Sequence, residues 1–472
     1  LVYTSMIRCS QNNCNTGSNM TSRIWAASAL LHDGWASSVE IDIDAHGDIS
    51  NISTATPYAD GDRVELLIAA IPNVHSHAHQ RAMAGLGERA GDSADSFWTW
   101  RKVMYHYLER IQPEHLAHIA AQLYLEMLKA GYGCVGEFQY LHHALDGKPY
   151  ANPAEMSLQC LQAARQVGIG FTALPVLYRY GGFGSADPLD GQKRFLNDAD
   201  GFTDIVHRLQ AASAGDGNCS VGIAPHSLRA INRELLSEVI GSLDGLAAIH
   251  LHIAEQTKEV DDCLAWSNQR PVEWLYDNFT VDQKWCLIHA THMTEAETLT
   301  MADSGCVAGL CPTTEANLGD GFFNAAAFFA GQGAWAIGSD SHISIDPVEE
   351  LRWLEYGMRL QTRRRNVLVS PPVTNTGRNL LDGALAGGAR ACGRNIGRIK
   401  TGHRADFVVL DHNHPRLYGR SRDDLLDSWI FSGNENLVRD VYVGGNKVID
   451  NGHHANEEEI ARNYRVTLDQ LA

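Results

Sequence analysis

Short apolar runs that alternate with helical stretches are the feature that most constrains the fold of this chain. Eight such runs lie between Ile71 and about Gly393, each followed by turn residues and a segment with helical spacing of apolar positions. Apolar strands that alternate with helices are typical of a parallel sheet buried on both faces, and eight of them close a barrel. The sequence therefore predicts an α/β protein, a distorted (β/α)8 TIM barrel. The runs are IPNVHSH (71–77), GCVGEFQY (133–140), IGFTALPVLY (169–178), SVGIAPHSL (220–228), LAAIHLHIAEQ (246–256), WCLIHATH (285–292), CVAGLCPTTEAN (306–317) and AWAIGSDSH (334–342).

Strand-like segments at both chain ends predict a second, smaller unit. Alternating segments broken by Gly, Asp and Asn run from Ile24 to about Ile71, and β character returns after Gly397. The economical interpretation is a small β-sandwich built from both ends and flanking the barrel. The predicted divisions are a non-native or disordered leader (1–19), two sandwich parts (20–70 and 395–455), the barrel (71–394) and a C-terminal helix (456–472).

Charge and composition limit the partners. The formal net charge is −18 at pH 7, so most of the surface repels nucleic-acid phosphates and anionic lipid. No apolar run approaches the roughly 18 residues of a membrane span, and no signal peptide is recognisable. The 10 cysteines are scattered without a C-x-x-C pair, which is typical of reduced thiols. We expect a cytoplasmic protein with neither nucleic acid nor membrane as its partner.

Histidines and an aspartate stand at the ends of several predicted strands. His75 and His77 point to the same side because side chains alternate along a strand. His252, His289 and Asp340 end the fifth, sixth and eighth strands. The carboxyl ends of barrel strands meet at one face, where such enzymes place their active sites. Imidazoles with a carboxylate suit Zn²⁺, and the same donors accept Fe²⁺ or Mn²⁺.

The ordered set HSH, HIAE, HATH and GSDS resembles the amidohydrolase superfamily of metal-dependent barrel hydrolases, over roughly residues 20–455. The resemblance implies the barrel and the small β-sandwich from both chain ends. Subtypes with two metals normally carry a carboxylated lysine or a glutamate at the end of strand four, and GIAPHSLRA (222–230) has neither. It therefore implies one divalent ion per subunit, with Zn²⁺ expected and Fe²⁺ or Mn²⁺ as alternatives, held by His75, His77, His252 and Asp340.

Longer segments narrow the resemblance to the formimidoylglutamate deiminase family of histidine degradation. They are PNVHSHAHQRAMAGLGE (72–88), DSFWTWRKVMY (95–105), APHSLRA (224–230), HIAEQTKEVDDC (252–263) and TEANLGDG (314–321). The implied reaction converts N-formimidoyl-L-glutamate to N-formyl-L-glutamate and ammonia. A related deaminase or chlorohydrolase for a ring such as guanine or a pterin, and a metal-free scaffold protein, stay open as alternatives. One departure is His79, where an aromatic residue is expected and where a third histidine either competes as a ligand or has a structural role.

The resemblance also implies roles for individual residues. Glu255 is the proton shuttle, His289 orients the attacking water and helps to deprotonate it, and Asp340 accepts its proton as well as binding the metal. A guanidinium binds a carboxylate in a bidentate fork, which suits a dicarboxylate substrate. The substrate-binding set implied by the resemblance is Gln80, Arg101, Tyr140, His226 and Arg229, with Arg101 reaching in from a neighbouring subunit of a homodimer. The alternative for Arg101 is stacking on a nearby tryptophan.

Overall fold

The structure is a computed structural model that describes residues 22–88 and 104–472. The predicted leader and Arg101 lie outside the described residues. Four strands open the described chain: β1 (Ser22–Leu31), β2 (Gly34–Ile43), β3 (Ile49–Ser53) and β4 (Asp62–Ala69). β2 pairs antiparallel with β1 and β3, whereas β4 lies parallel to β1. On β2 the apolar side chains Val39, Ile41 and Ile43 are buried at every second position, as expected for a strand with one face on the core.

The middle of the chain forms the barrel, and each predicted apolar run contains barrel strand residues. The strands are β5 (Ile71–Ser76), β6 (Tyr132–Gln139), β7 (Gly170–Leu177), β8 (Cys219–Val221), β9 (Ala224–Pro225), β10 (Ile249–Ile253), β11 (Trp285–His289), β12 (Val307–Leu310) and β13 (Ala334–Ile337). β8 and β9 belong to one run, so the strands occupy eight barrel positions. The predicted (β/α)8 barrel is confirmed.

The barrel is distorted because two arcs of parallel strands meet at interrupted joins. One arc runs β5-β6-β7-β8 and the other β10-β11-β12-β13. Isolated parallel bridges join the arcs: Ile223 to Ile249 and Ser227 to His252 at the first join, and Ser76 to Asp340 at the second. At the second join the chains approach so closely that a Cβ on Gly338 would lie 2.7 Å from the Cβ of His75. A glycine at this position is therefore a condition for closing the barrel.

Helices connect the strands. The longest within residues 22–88 and 104–472, Pro113–Ala130, begins with a proline in its first turn and is capped by Gly131, whose φ of 102° is left-handed. Its buried face includes Leu116, Leu123 and Leu128. The other α-helices with both ends in the described residues are Glu155–Val167, Ala199–Ser213, Arg233–Ser242, Thr257–Ser267, Pro271–Asn278, Glu295–Ser304, Pro312–Leu318, Ala325–Ala330, Pro347–Thr362, Thr376–Ala391, Arg422–Phe431 and Glu457–Leu471. Short 3-10 helices span Ala78–Met83 and Asp190–Gln192.

The C-terminal strands complete the sheet that the N-terminal strands begin. β14 (Phe407–Leu410), β15 (Val438–Val443) and β16 (Asn446–Ile449) extend it in the order β16-β15-β14-β4-β1-β2-β3. A β unit drawn from both chain ends is thus present, and its described strands are hydrogen-bonded as one seven-stranded mixed sheet. The terminal helix packs on the helix Pro113–Ala130, where Nδ1 of His118 lies 2.9 Å from Oγ1 of Thr467.

The cysteines and the helix lengths can be compared with the sequence-based expectations over the described residues. The eight described cysteines are free thiols, and seven of them are buried. Within residues 22–88 and 104–472, no helix combines the length and apolarity needed to cross a membrane.

Candidate active site

The four predicted metal ligands come together at the carboxyl end of the barrel. Nε2 of His75 lies 2.9 Å from Nε2 of His252 and 3.5 Å from Oδ1 of Asp340. Nε2 of His77 lies 3.3 Å from the same oxygen. All four residues are at most 6% exposed, so their polar atoms face one another and not solvent.

Hydrogen bonds to main-chain carbonyls set the orientation of two of these rings. Nδ1 of His77 donates to the carbonyl of Phe138 at 2.9 Å, and Nδ1 of His252 donates to that of His226 at 2.9 Å. A neutral imidazole that donates from Nδ1 keeps a lone pair on Nε2. These lone pairs, Nε2 of His75 and a carboxylate lie in one cluster: His75, His77 and Asp340 bring donor atoms within 4.8 Å of one another, and so do His75, His252 and His289. This buried donor set fits a divalent cation.

Burial keeps the ligands in the protonation states that bind metal. It lowers the pKa of His75 to about 3 and also lowers the pKa of His77 and His252, so the rings are neutral. Burial opposes ionisation of Asp340, but contact with His75 holds the pKa of that carboxyl well below its usual range. Metal ligands bind as neutral imidazole and ionised carboxylate, which are the forms found here.

The strand ends adopt unusual backbone conformations. His289, Ala290 and Asp340 have φ values of 66°, 49° and 43°, in the left-handed region that residues other than glycine rarely occupy. Such residues cost about 1–3 kcal/mol each and cluster at functional sites. Two of the predicted site residues are among them, His289 at the end of β11 and Asp340 three residues after β13.

Glu255 and His289 lie beside the ligand set. Nε2 of His289 is 3.9 Å from Oε1 of Glu255 and 3.7 Å from Oδ2 of Asp340. Burial raises the pKa of Glu255 to about 7. Burial lowers the pKa of His289, but the carboxylates of Glu255 and Glu315 outweigh it and raise this pKa to about 10. A cation on the neighbouring ligands would oppose that rise because it repels the protonated ring. The arrangement places a titratable acid, a histidine and a carboxylate around one small volume.

The predicted substrate residues within the described chain line the same pocket. The pocket that contains His77, His252 and Asp340 is also lined by Gln80, Tyr140, His226 and Arg229. Burial lowers the pKa of Arg229, but the carboxylates of Glu259 and Glu255 more than offset this, so the guanidinium stays charged. The pocket thus offers a cation to an anionic substrate.

His79 contacts Tyr140 and does not join the ligand set. Its Nε2 lies 2.8 Å from the hydroxyl of Tyr140, which also accepts a hydrogen bond from Nε2 of Gln80 at 3.2 Å. Burial holds the pKa of His79 well below its ordinary value, so the ring is neutral. Of the two readings left open for His79, the geometry favours the structural one.

Glu137 is a buried acid next to the predicted ligands that the sequence reasoning missed. Its carboxylate accepts hydrogen bonds from Oγ of Ser76 at 2.6 Å, the backbone N–H of Ala78 at 2.7 Å and the hydroxyl of Tyr124 at 3.0 Å. It therefore holds the chain on both sides of His77. The available signal was an acid in the middle of the apolar run GCVGEFQY.

Further acids near Glu255 were also missed. Glu259 accepts the backbone N–H of Glu255 at 3.2 Å. Asp320 accepts a hydrogen bond from the side chain of Gln256, and burial raises its pKa to about 8. With Glu315, these residues come from two segments already noted for their resemblance, HIAEQTKEVDDC and TEANLGDG. Their acidic content was the signal, but only the fold brings the two segments together.

Known proteins are similar to this chain along most of its length. A model of the amidohydrolase family matches residues 66–448, and one described as formimidoylglutamate deiminase HutF, N-terminal domain, matches residues 21–65. Formimidoylglutamate deiminase of Pseudomonas aeruginosa is 51% identical over 454 residues, which cover 95% of this chain and 99% of that protein.

Solved structures agree with the fold. An amidohydrolase from Brucella melitensis superposes with a TM-score of 0.91 at 47% identity, covering 95% of this chain and 99% of that one. An adenosine deaminase from Xanthomonas campestris with bound zinc has a TM-score of 0.78 at 22% identity, covering 95% of this chain and 98% of its own. At that identity the second likeness bears on the fold alone.

The contacts of Glu137 generate a prediction about metal affinity. We expect Glu137→Gln to weaken Zn²⁺ binding about ten-fold or more, because outer hydrogen bonds that orient ligands typically contribute 10–100-fold to affinity. Competition with a chromogenic chelator measures this. Tyr124→Phe is the matched control, since it removes one donor to Glu137 but leaves the bonds to Ser76 and Ala78. Equal affinity in the two variants would contradict the assignment.

Proposed function

This chain belongs to the amidohydrolase family and, within it, to the formimidoylglutamate deiminases, and we propose the following account of its reaction. The enzyme hydrolyses the C=N bond of N-formimidoyl-L-glutamate to give N-formyl-L-glutamate and ammonia, a step of histidine degradation. The single observation that carries this function is the 51% identity to the Pseudomonas aeruginosa deiminase over nearly the full length of both chains.

We propose one Zn²⁺ ion per subunit, with His75, His77, His252 and Asp340 as its ligands. Such an ion would lower the pKa of a coordinated water to about 7 and so supply a nucleophile at neutral pH. The buried nitrogen and oxygen donors support this choice, and Fe²⁺ or Mn²⁺ would accept the same set.

The protein side chains then move the protons. His289 orients the attacking water, and Asp340 shares in accepting its proton. Glu255 carries the proton to the imino nitrogen. The water oxygen stays on the formimidoyl carbon, both water protons end on the departing nitrogen, and that nitrogen leaves as ammonia. A pKa of about 7 for Glu255 supports this role, because both of its protonation states are populated at neutral pH.

Substrate binding is the task of the cationic and polar part of the pocket. Arg229 pairs with a substrate carboxylate, and the substrate also binds to Gln80, Tyr140 and His226. Arg101 enters from the second subunit of a homodimer and binds the other carboxylate. We also propose that the sheet of the chain ends and the barrel are separate units divided near residues 70 and 395, and that the enzyme works in the cytoplasm.

Ammonia release tests the proposed substrate. We expect the Zn²⁺-loaded enzyme to release one ammonia per N-formimidoyl-L-glutamate consumed and none from guanine, because a flexible dicarboxylate matches the arginines and a neutral ring does not. A coupled glutamate dehydrogenase assay measures both. Turnover of guanine alone would overturn the assignment.

The role of Glu255 predicts a separation of metal binding from turnover. We expect Glu255→Gln to keep its Zn²⁺ content and lose about 10²–10⁴-fold in kcat, the range typical of general acid–base catalysis. Mass spectrometry of the metal and steady-state kinetics check the two halves. Glu238→Gln makes the same change at an exposed glutamate and keeps wild-type kcat. A fully active Glu255→Gln enzyme would remove Glu255 from the mechanism.

The role of Arg101 predicts complementation between two inactive variants. Arg101→Met and Glu255→Gln each lose activity, but random mixing of their subunits restores about a quarter of wild-type activity if Arg101 serves the neighbouring site of a dimer. Half of the mixed molecules are then hybrids, and one of the two sites in each hybrid is intact. Activity that does not rise on mixing would place Arg101 in its own subunit's site.

A further inference from the structure

The carboxylate of Glu315 lies against Nδ1 of His289, on the side of the ring away from Glu255 and Asp340. We propose that Glu315 is a positioning residue that fixes the orientation and tautomer of this histidine. The inference rests on the proposed function, since His289 handles the attacking water in that proposal. Glu315 lies in the short helix Pro312–Leu318, directly after β12, and is 5% exposed.

One carboxylate oxygen of Glu315 contacts both His289 and the backbone of Cys311. Its Oε1 lies 3.2 Å from Nδ1 of His289 and 2.9 Å from the backbone nitrogen of Cys311. The backbone N–H of Cys311 is a donor only, which makes Oε1 an acceptor. The contact with His289 is then a hydrogen bond only if the imidazole hydrogen is on Nδ1. The structure thus requires a hydrogen on Nδ1, which in the neutral ring is the Nδ1–H tautomer.

That tautomer decides what the other nitrogen of His289 can do. Nε2 faces the space between Oδ2 of Asp340, 3.7 Å away, and Oε1 of Glu255, 3.9 Å away. With the hydrogen on Nδ1, the neutral ring presents a lone pair to this space and accepts a proton there. The opposite tautomer would present an N–H and could only donate. Glu315 therefore determines the direction in which His289 exchanges a proton with water.

The backbone alone does not hold this ring. His289 and Ala290 both have left-handed φ values, so the side chain leaves the end of β11 outside the regular strand geometry. The ring lies parallel to that of His252, with centroids 5.5 Å apart and 10° between their planes. Stacking fixes the plane of the ring but not its rotation within the plane. The bond to Glu315 supplies the missing constraint.

Nitrogen NMR of the wild-type enzyme tests the tautomer directly. Zn²⁺-loaded protein labelled with ¹⁵N-histidine is compared with His289→Gln to identify the signals of His289. We expect a protonated Nδ1 and an unprotonated Nε2. A protonated Nε2 with a bare Nδ1 would overturn the proposal. This readout needs no turnover. The tautomer can therefore be wrong while the proposed reaction is right, and the reaction can be wrong while the tautomer is right.

Kinetics of two substitutions test the consequence. We expect Glu315→Leu, which has no acceptor, to lower kcat about 10²-fold or more with KM within about threefold, since Glu315 acts through His289 and not on the substrate. Glu315→Gln keeps an oxygen acceptor and is expected to stay within about tenfold of wild-type kcat. Loss of kcat in the leucine variant with rescue by glutamine supports positioning.

Glu350 supplies the control. It is fully buried and accepts two hydrogen bonds from Thr313, which lies in the same short helix as Glu315. Glu350 itself makes no hydrogen bond to His289 within the described residues. We expect Glu350→Gln to keep wild-type kcat. A leucine variant of Glu315 that folds, binds Zn²⁺ and turns over at the wild-type rate would overturn the proposal. If that variant does not fold, the glutamine variant and the NMR tautomer decide: a glutamine variant that loses 10²-fold in kcat while its His289 remains Nδ1-protonated contradicts the positioning role.

Discussion

The contact of Asp340 with His75 in β5 and with His77 just after that strand is the interaction on which the rest of the molecule depends. The carbonyl of His75 accepts the backbone N–H groups of Ser339 and Asp340 at 3.1 and 3.0 Å, and the N–H of His77 donates to the carbonyl of Asp340 at 3.3 Å. These backbone bonds close the barrel between its first and last strands. The side chains of His75, His77 and Asp340 supply three of the four proposed ligands, so closing the barrel also assembles most of the proposed metal site.

A buried polar network stabilises this join. Asn73 donates to Oγ of Ser339 at 2.7 Å, Ser339 contacts His342 at 3.0 Å, and His342 contacts Ser76 at 3.3 Å, beside the carboxylate of Glu137. Such networks cost desolvation energy unless their members are paired, and here they connect strands far apart in sequence. We infer that this network fixes the relative positions of the predicted ligands on the first and last barrel strands, which are not joined by a continuous ladder of hydrogen bonds.

The sequence predicted the parts of the site that follow a local pattern. Alternating apolar runs located the strands, and the side-chain period of two put His75 and His77 on one face. The resemblance added Glu255 and Arg229. Glu137 and Glu315 escaped because their partners, Ser76 and His289, are 61 and 26 residues away in the chain, and no periodicity encodes such contacts. The role of His79 also depended on a side chain, Tyr140, that lies 61 residues further along.

We propose that one cation is held at the closing join of the barrel. Anomalous diffraction at the zinc edge from crystals of the Zn²⁺-loaded enzyme tests it most directly. We predict a single peak per subunit, about 2.0–2.2 Å from Nε2 of His75, His77 and His252 and from a carboxylate oxygen of Asp340. A second peak bound by His289, Cys311 and Glu315, which also bring their donor atoms within 4.8 Å of one another, would contradict it.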